Sequence, residues 1–425
     1  MRLKKRQEEV TEPVIVGDAD AETTGKKKRK KIKIKVKVKK QDIDPVTGEV
    51  IKKRRGRKKK EKEEQLRDNI VVVEENRKLK KFHIHSFTIG VILMDLCVIA
   101  GLVVINLDTF KNFWVTSAMT TMTHKYWAYT LYSEKTINKI MSENYIEVNT
   151  DSVNLDDIVI GDTSAKTHYA SKYEKELYTR DDGNEVYKII RIDEGRYKGY
   201  LTVAYDPSDV ELAVSSKLGR IGESVAVLCR NNGGLVGINA GGFEDLDGWG
   251  NGSVPLGAII KNGELIWNHP GGSGTLIGFT KDHKLVMTPE TPEQAISHGM
   301  VDAIEFGPNL IVNGKVSKIH GDGGWGYAPR SVIAQRRDGI VLLLEIEGRL
   351  PGYSIGASMN DVIEILLRYG AYNAANLDGG ASATMAVNGK LYNRPSAGGE
   401  YGGRTVSNAW IVTNKGKKTC VGCPY

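Results

Sequence analysis

The chain changes hydrophobic period along its length, and each change marks an element. From Phe87 to Asn106 nearly every position is apolar. At 1.5 Å per residue such a run is about 30 Å long, the thickness of a bilayer's hydrocarbon core, and it predicts a transmembrane helix over 87–106. Asp95 interrupts it near the middle, at a cost of roughly 2.5–3.5 kcal/mol that the surrounding Ile, Leu and Val offset. Such a carboxylate calls for a polar partner within the membrane, a second copy of the helix or another protein. Between Asn112 and about Tyr145 the periodicity is weak and mixed helical, predicting a stalk; residues 146–166 are polar and short of core formers, predicting a linker. Strand-like runs follow at Tyr187–Ile192, Tyr200–Tyr205 and Val210–Val214.

A helical period then returns three times: near Ile221–Asn231, after Thr291-Pro292-Glu293, where Pro suits a first helical turn, and from Ser358. In the third run Ser358 is an N-cap with Asp361 three residues on. Met359, Val362, Ile363, Leu366 and Leu367 share a face there, and Gly370 supplies a left-handed cap. Each run opens one copy of a single plan: helix, short strand ending in polar residues and glycine, then a strand turned back by Asn-Gly. The strand ends are Val236–Gly242, Asp302–Pro308 and Ala375–Gly380, and the turns are Asn262-Gly263, Asn313-Gly314 and Asn388-Gly389. Asn-Gly between apolar runs is a strong hairpin signal because both central residues need positive φ. Three such ends, each bringing Asn, Asp or Glu beside glycine, can converge on one cleft. Helices alternating with hairpins predict an α+β fold of antiparallel sheets wrapped on helices. The expected division is a basic, solvated tail over 1–86, a membrane helix over 87–106 and a stalk with linker over 107–165. An outer domain over 166–414 and a C-terminal tail over 415–425 complete it.

Charge sharpens this division. Residues 1–86 carry 29 Lys/Arg against 15 Asp/Glu, a local excess of +14; the whole chain is +8, so the remainder carries −6. The basic balance therefore belongs to the tail, which suits anionic lipid headgroups and argues against nucleic acid as a partner of the folded part. Arg77, Lys78, Lys80 and Lys81 precede the apolar run and only Lys111 follows closely, so the N-terminus is expected in the cytoplasm and the outer domain beyond the membrane. Phe110, Phe113 and Trp114 sit where an interfacial aromatic belt belongs. Cys97, Cys229, Cys420 and Cys423 form no disulfide framework, although the terminal C-x-x-C suits a small disulfide or free thiols.

Chemistry concentrates in Asn376–Thr384. Asp378 is followed by Gly379 and Gly380, which expose backbone N–H groups, and Ser382 and Thr384 add hydroxyls. One acid or base among many donors suits a sugar or a phosphodiester. Arg330 and Arg404 are candidates to pair a phosphate. No Gly-x-Ser-x-Gly elbow, P-loop or His-Glu-x-x-His occurs. Asp245-x-Asp247-Gly248-x-Gly250-Asn251 has oxygen ligands at alternate positions, so a divalent cation is a candidate cofactor, but it lacks the downstream bidentate acid and reads more readily as a polar surface turn. His320, in a Gly-rich loop, is a candidate general acid or a solvated loop histidine.

These pieces, taken in order, resemble the phosphodiester glycosidase domain family from about Tyr187 to Asn414. They are Asn239-Ala240-Gly241 with Phe243, Pro255-Leu256-Gly257, Gly307-Pro308 before a Val-Asn-Gly turn and Pro329-Arg330-Ser331. Glu347-Gly348-Arg349 with Pro351-Gly352-Tyr353-Ser354, Asn376–Met385, Asn393-Arg394-Pro395 and Gly403-Arg404 with Ser407-Asn408-Ala409 follow. The resemblance implies hydrolysis of a sugar-1-phosphodiester, here in a cell-envelope or exopolysaccharide glycan. It implies Asp378 as general acid or base and Asn239 orienting the substrate. Arg330, Arg349 and Arg404 would hold phosphate, with Gly379, Gly380, Ser382, Thr384 and Asn408 around the substrate. Glu305 stands where the family runs glycines, as a variant catalytic group or a filler of the subsite. A glycan-binding or polysaccharide-assembly protein that has kept the cleft is the alternative.

Overall fold

The computed structural model describes residues 53–121, 123–161, 168–180, 185–245, 248, 250–398 and 403–415. The Lys-rich runs before residue 53, Asp247 and the Cys420/Cys423 pair lie outside them. The chain divides into two compact units, Met1–Leu93 and Met94–Tyr425.

Helix α1 (Lys53–Asn106) contains the apolar run at its C-terminal end. Among the described residues it is the one helix long and apolar enough to cross a membrane, by length and composition. Residues 53–86, expected within a solvated tail, are helical. Their Lys, Arg, Glu and Gln are good helix formers, and opposite charges fall four apart, as in Lys59 and Glu63 at 4.0 Å. Helices α2 (Asp108–Met119), α3 (Tyr126–Leu131) and α4 (Glu134–Glu143) and strand β1 (Tyr145–Glu147) follow.

This segment is not a detached stalk. The Thr116 hydroxyl donates to Asp322, and β1 pairs antiparallel with Lys318–His320. Nor is 146–166 a free linker where it is described. The Asn149 N–H donates to Ser317, Asn154 N–H to Asn313 and Tyr372 to Asp157, while Ile158 is buried. A stretch poor in core formers is held by polar side chains that satisfy backbone groups, a tether that hydrophobic periodicity does not report.

After α5 (Lys172–Tyr178), β2 (Tyr187–Asp193) and β3 (Lys198–Ala204), the repeated plan unfolds. Copy one is β4 (Val210–Val214), α6 (Val225–Asn231), β5 (Val236–Asn239) and the hairpin β6 (Gly257–Lys261) to β7 (Glu264–His269). Copy two is β8 (Leu276–Thr280), β9 (Leu285–Thr288), α7 (Pro292–Ser297), β10 (Met300–Glu305) and the hairpin β11 (Asn309–Val312) to β12 (Lys315–Val316). The short β13 (Lys318–His320) follows. Copy three is β14 (Arg330–Arg336), β15 (Val341–Ile346), α8 (Met359–Arg368), β16 (Ala371–Asn376) and the hairpin β17 (Met385–Val387) to β18 (Lys390–Leu391). Strand β19 (Asn408–Val412) comes last. Asn262, Asn313 and Asn388 have φ of 53°, 53° and 49°, and the glycines after them 79°, 73° and 67°, as Asn-Gly turns require. Thr291 and Ser358 cap α7 and α8 through complete capping boxes.

The copies exchange their hairpins in a ring. Strand β10 of copy two pairs with β6 of copy one, β16 of copy three with β11 of copy two, and β5 of copy one with β17 of copy three. Every pairing among the described strands is antiparallel. The three large sheets run β7-β6-β10-β8-β9, β12-β11-β16-β14-β15-β3-β2 and β18-β17-β5-β19-β4.

The expected mixture of helices and antiparallel sheets is present, but the sheets also pack on one another, with helices on their outer faces. One core, including Leu212, Ile238, Ile259, Phe279, Ile304, Ile333, Leu343 and Trp410, draws on all three sheets. Strand alternation explains the arrangement. Ile333, Val341 and Leu343 face that shared core, whereas Val332, Ala334, Leu342 and Leu344 pack with α8 on the other face. On α8 the buried arc runs from Ile365 through Val362, Leu366 and Met359 to Ile363. At 100° per residue Leu367 falls about 40° past its edge and is 45% exposed, against the expectation that it faces the core.

Candidate functional site

Just past the ends of β5, β10 and β16, the chain delivers Gly242 and Phe243, Phe306, and Asp378 to Ser382 to one cavity of about 960 Å³. The three strand ends thus meet, as the repeat predicts. The strand-end residues themselves do not face the cavity: Asn239, Glu305 and Asn376 are spent on backbone groups of neighbouring strands and loops.

Asp378 is the ionisable group at the centre of this wall. Burial pushes its carboxyl up to about 6, against the Ser382 hydroxyl, which donates to it, and the charges of Arg404 and Arg349. The two glycines after it are needed by the backbone. A Cβ on Gly379 would lie 2.7 Å from the Pro329 carbonyl oxygen, and Gly380, at φ +61°, donates its N–H to that same oxygen at 2.9 Å. The chain therefore turns tightly under Asp378.

Asn239 fixes Asp378 from behind. It is fully buried, its Nδ2 donates to the Asp378 carbonyl, and its Oδ1 accepts from the Thr384 N–H at 3.0 Å and the Ser331 hydroxyl at 2.8 Å. Its expected role in orienting substrate is therefore corrected: its oxygen and one amide N–H are engaged, and it orients the chain that carries Asp378. The Ser331 Oγ also lies 2.8 Å from Oε2 of Glu345, on β15. A hydroxyl has one proton, and the Asn239 oxygen takes it, so Glu345 must supply its own proton to Ser331. Glu345 is thus a neutral acid, in accord with full burial, which raises its pKa well above the carboxylate range. Asn393 completes the network, donating to Glu345 Oε1 at 3.3 Å while accepting from the Met385 N–H.

The three arginines differ in how far they are committed. Arg330 lines the cavity but is buried. Its Nε donates to the Ala357 carbonyl and its Nη2 to those of Trp325 and Gly326. Burial and the neighbouring Arg349 push its pKa down to about 9. With Nε and Nη2 spent, the expected fork onto phosphate is not on offer. Arg404 is also engaged: both terminal nitrogens pair with Asp245, at 2.8 and 2.7 Å, and Nη2 adds the Gly250 carbonyl. Burial opposes ionisation of Asp245, but these Arg404 bonds hold its carboxyl below the usual range. Of the three, Arg349 alone lines the cavity with a guanidinium that makes no hydrogen bond to the described residues. Its backbone sits at φ +57°, a conformation L-residues rarely adopt and one that clusters at functional sites. Enclosure of the guanidinium lowers its pKa while the Asp378 charge acts in the opposite direction.

Several expected residues fall elsewhere. Glu305 does not line the cavity. Its carboxylate accepts the Ala258 N–H at 3.1 Å and the Gly274 N–H at 2.6 Å in a cradle where a Cβ on Gly257 or Gly272 would collide with it. It organises two loops, a role that removes it as a catalytic group. His320 stacks on Tyr145 at 4.3 Å and faces Glu147, also away from the cavity. Thr384 is buried against Gly403 and Asn408 accepts the Gly241 N–H at 2.7 Å; neither lines the cavity. Gly379, Gly380 and Ser382 do line it. Among the described residues no cluster of three or more His, Cys, Asp or Glu is placed to hold a metal ion. Of the expected cation loop, Asp245 is paired with Arg404 and Asp247 lies outside the described residues.

The opposite wall was not foreseen. Phe113, Trp114, Ser117 and Ala118 of α2, His124 and Trp127 line the cavity, with Trp325 and Tyr327 beside them. Phe113 packs on Tyr327 with ring centres 5.5 Å apart, and the Trp114 Nε1–H donates to the Trp127 carbonyl at 2.9 Å.

Residues 231–413 match the family model described as phosphodiester glycosidase. The SPbeta prophage-derived uncharacterized protein YomE of Bacillus subtilis (strain 168) is 30% identical over 208 residues, which cover 46% of this chain and 31% of that protein. The N-acetylglucosamine-1-phosphodiester alpha-N-acetylglucosaminidase of Bos taurus is 26% identical over 158 residues, 33% of this chain and 30% of that one. The chain thus spans about three tenths of the length of these curated relatives. Among solved structures, the catalytic domain of the zebrafish enzyme of that name, auto-inhibited by its pro-peptide, superposes with a TM-score of 0.44 and 22% identity over 54% of this chain and 84% of that one.

Proposed function

We propose that this chain, whose residues 231–413 belong to the phosphodiester glycosidase family, is a glycosidase that hydrolyses a sugar-1-phosphodiester in a cell-envelope glycan. The observation that carries this reading is the pairing of Asp378, with its carboxyl near 6, and the uncommitted guanidinium of Arg349 in one cavity. The bovine relative's name states the same bond class. In the reaction the C1–O bond of the sugar breaks and its electron pair leaves on the phosphate oxygen. Water adds to C1 and gives its proton to Asp378. The leaving phosphomonoester is already a stable anion and needs no acid, so the demand falls on ionised Asp378 as base. Arg349 offers a positive charge to meet the negative charge that the departing phosphate gains as the bond lengthens. Ser382 and the glycine turn hold the carboxylate in line.

The apolar run 87–106 serves in this reading as a single-pass anchor, with the Lys/Arg excess before it on the cytoplasmic side and the catalytic unit outside. The test is sugar release from a sugar-1-phosphodiester by the full-length protein in detergent. Asp378→Asn should remain folded and lose about 10²–10⁴-fold in rate. Unaltered turnover by that variant would remove Asp378 from the chemistry. Tight binding without hydrolysis by the unsubstituted protein would make it a glycan-binding protein instead.

A further inference from the structure

The cavity's second wall belongs to the segment that directly follows the apolar helix. Only Leu107 separates α1 from α2, and Phe113 lies seven residues past Asn106, about 10 Å of helical rise. Two bonds tie α3 to this junction: the Tyr132 hydroxyl donates to the Ile105 carbonyl at 2.7 Å, and Trp114 donates to the Trp127 carbonyl. Helix α3 then presents aromatics to solvent where a folded domain would ordinarily bury them. Tyr126 is 52% exposed, Trp127 46% and Tyr129 51%, beside exposed Leu107 and Leu131. Amphipathic rings in a band at the end of an apolar helix are the composition of a membrane–water interface. Trp127 belongs both to this band and to the cavity lining, so the band borders the cavity. The cavity is also at the top of the range for small-molecule sites, about 300–1,000 Å³, and Phe113, Trp114 and Trp127 give this wall an aromatic surface.

Resting on the glycosidase reading above, we infer that the substrate is a glycosyl phosphoryl lipid resident in the same membrane. Its sugar and phosphate lie against Asp378 and Arg349, and its lipid-side group passes along Trp114 and Trp127 into the bilayer. The step is unchanged in its balance. Water replaces the phosphate at C1, the C1–O electron pair leaves with the lipid phosphate, and the lipid monophosphate stays in the membrane while the free sugar departs. A soluble wall polymer has no use for an interfacial aromatic band, whereas a lipid-held substrate is concentrated by the anchor that holds the enzyme.

The test uses the full-length protein reconstituted in phosphatidylcholine–phosphatidylglycerol vesicles. Two probes share one sugar: a long-chain alkyl glycosyl phosphodiester embedded in the vesicles and its water-soluble methyl ester. The expected result is at least about tenfold faster release from the embedded probe at equal bulk concentration, and a fall of that ratio towards one in Tyr126→Ser/Tyr129→Ser. Independently, lipids brominated near the headgroup should quench tryptophan emission, and Trp127→Phe should remove part of the quenching. Equal rates on both probes would overturn the lipid inference and leave the glycosidase reading standing. Release from neither probe would overturn both.

Discussion

The two walls of the cavity are built on different principles. The strand-end wall is closed: Asp378 is held by Asn239, Asn239 by Ser331, and Ser331 by the neutral acid Glu345, so each polar atom in that line has a partner. The helical wall is open, with exposed rings and a histidine at the edge of solvent. A closed polar wall holds one reacting group in a fixed place, whereas an open aromatic wall accepts any apolar chain laid along it. In the reading proposed above, chemistry and substrate delivery fall to separate walls, and variants in each should separate the two.

The largest effect belongs to Asp378→Asn, which removes the ionisable group and keeps its shape. For a base with a carboxyl near 6, kcat/KM of the parent should fall about tenfold per pH unit below 6 and level off above it, and the variant should lack that limb. Stability should move the other way. The raised carboxyl costs the fold nothing below the unfolded value near 3.8, and the cost grows as pH rises through about 6. Asp378→Asn should therefore be more stable than the parent at pH 8, by up to about 3 kcal/mol of unfolding free energy, and melt higher. A lower melting point would mean that the carboxylate is structural.

Arg349→Ala should come next, lowering kcat/KM by roughly 10–150-fold, the worth of a charged hydrogen bond of about 1.5–3 kcal/mol, without a change in melting temperature. Arg404→Ala should do the reverse first: it strands the Asp245 carboxylate, so thermal melts should fall before turnover is considered. If the two variants behave alike, the distinction between free and committed arginines is lost. Glu345→Ala should destabilise by about 1–3 kcal/mol by orphaning Ser331 and Asn393. Glu345→Gln keeps a neutral donor at the same place and should stay closer to the parent, which an ionised Glu345 would not predict. The smallest effect is expected for Trp127→Ala on a water-soluble substrate, within about threefold, since nothing on the strand-end wall leans on it.

The walls differed as much in legibility. The hairpins, the capped helices and the Asp378-Gly379-Gly380 turn were readable because each is written in adjacent residues: a carboxylate with two glycines, Asn-Gly, Ser with Asp three on. Glu345 left a fainter trace, a lone acid in Val341–Ile346, where a charge amid buried positions signals a neutral or paired group. Arg404 with Asp245, 159 positions apart, left none, and so Arg404 read as a phosphate ligand. Glu305 misled for the opposite reason: its position past a strand matched the plan, while Gly257 and Gly272, which cradle it, lie on other elements. The helical wall was hidden because Phe113 and Trp114 read as a membrane belt, and local pattern says nothing of what a helix folds back upon.

The ring of exchanged hairpins has a consequence for how the molecule is made. The sheet that carries Asn239 needs β17 on one side of β5 and β19 on the other, and these strands leave the ribosome long after β5 does. No copy can finish its sheet from its own residues, so the first-made third waits as an open edge until residue 412 has been delivered. Completion of the sheet that carries Asn239 is therefore late in synthesis, after the other two large sheets have all their strands.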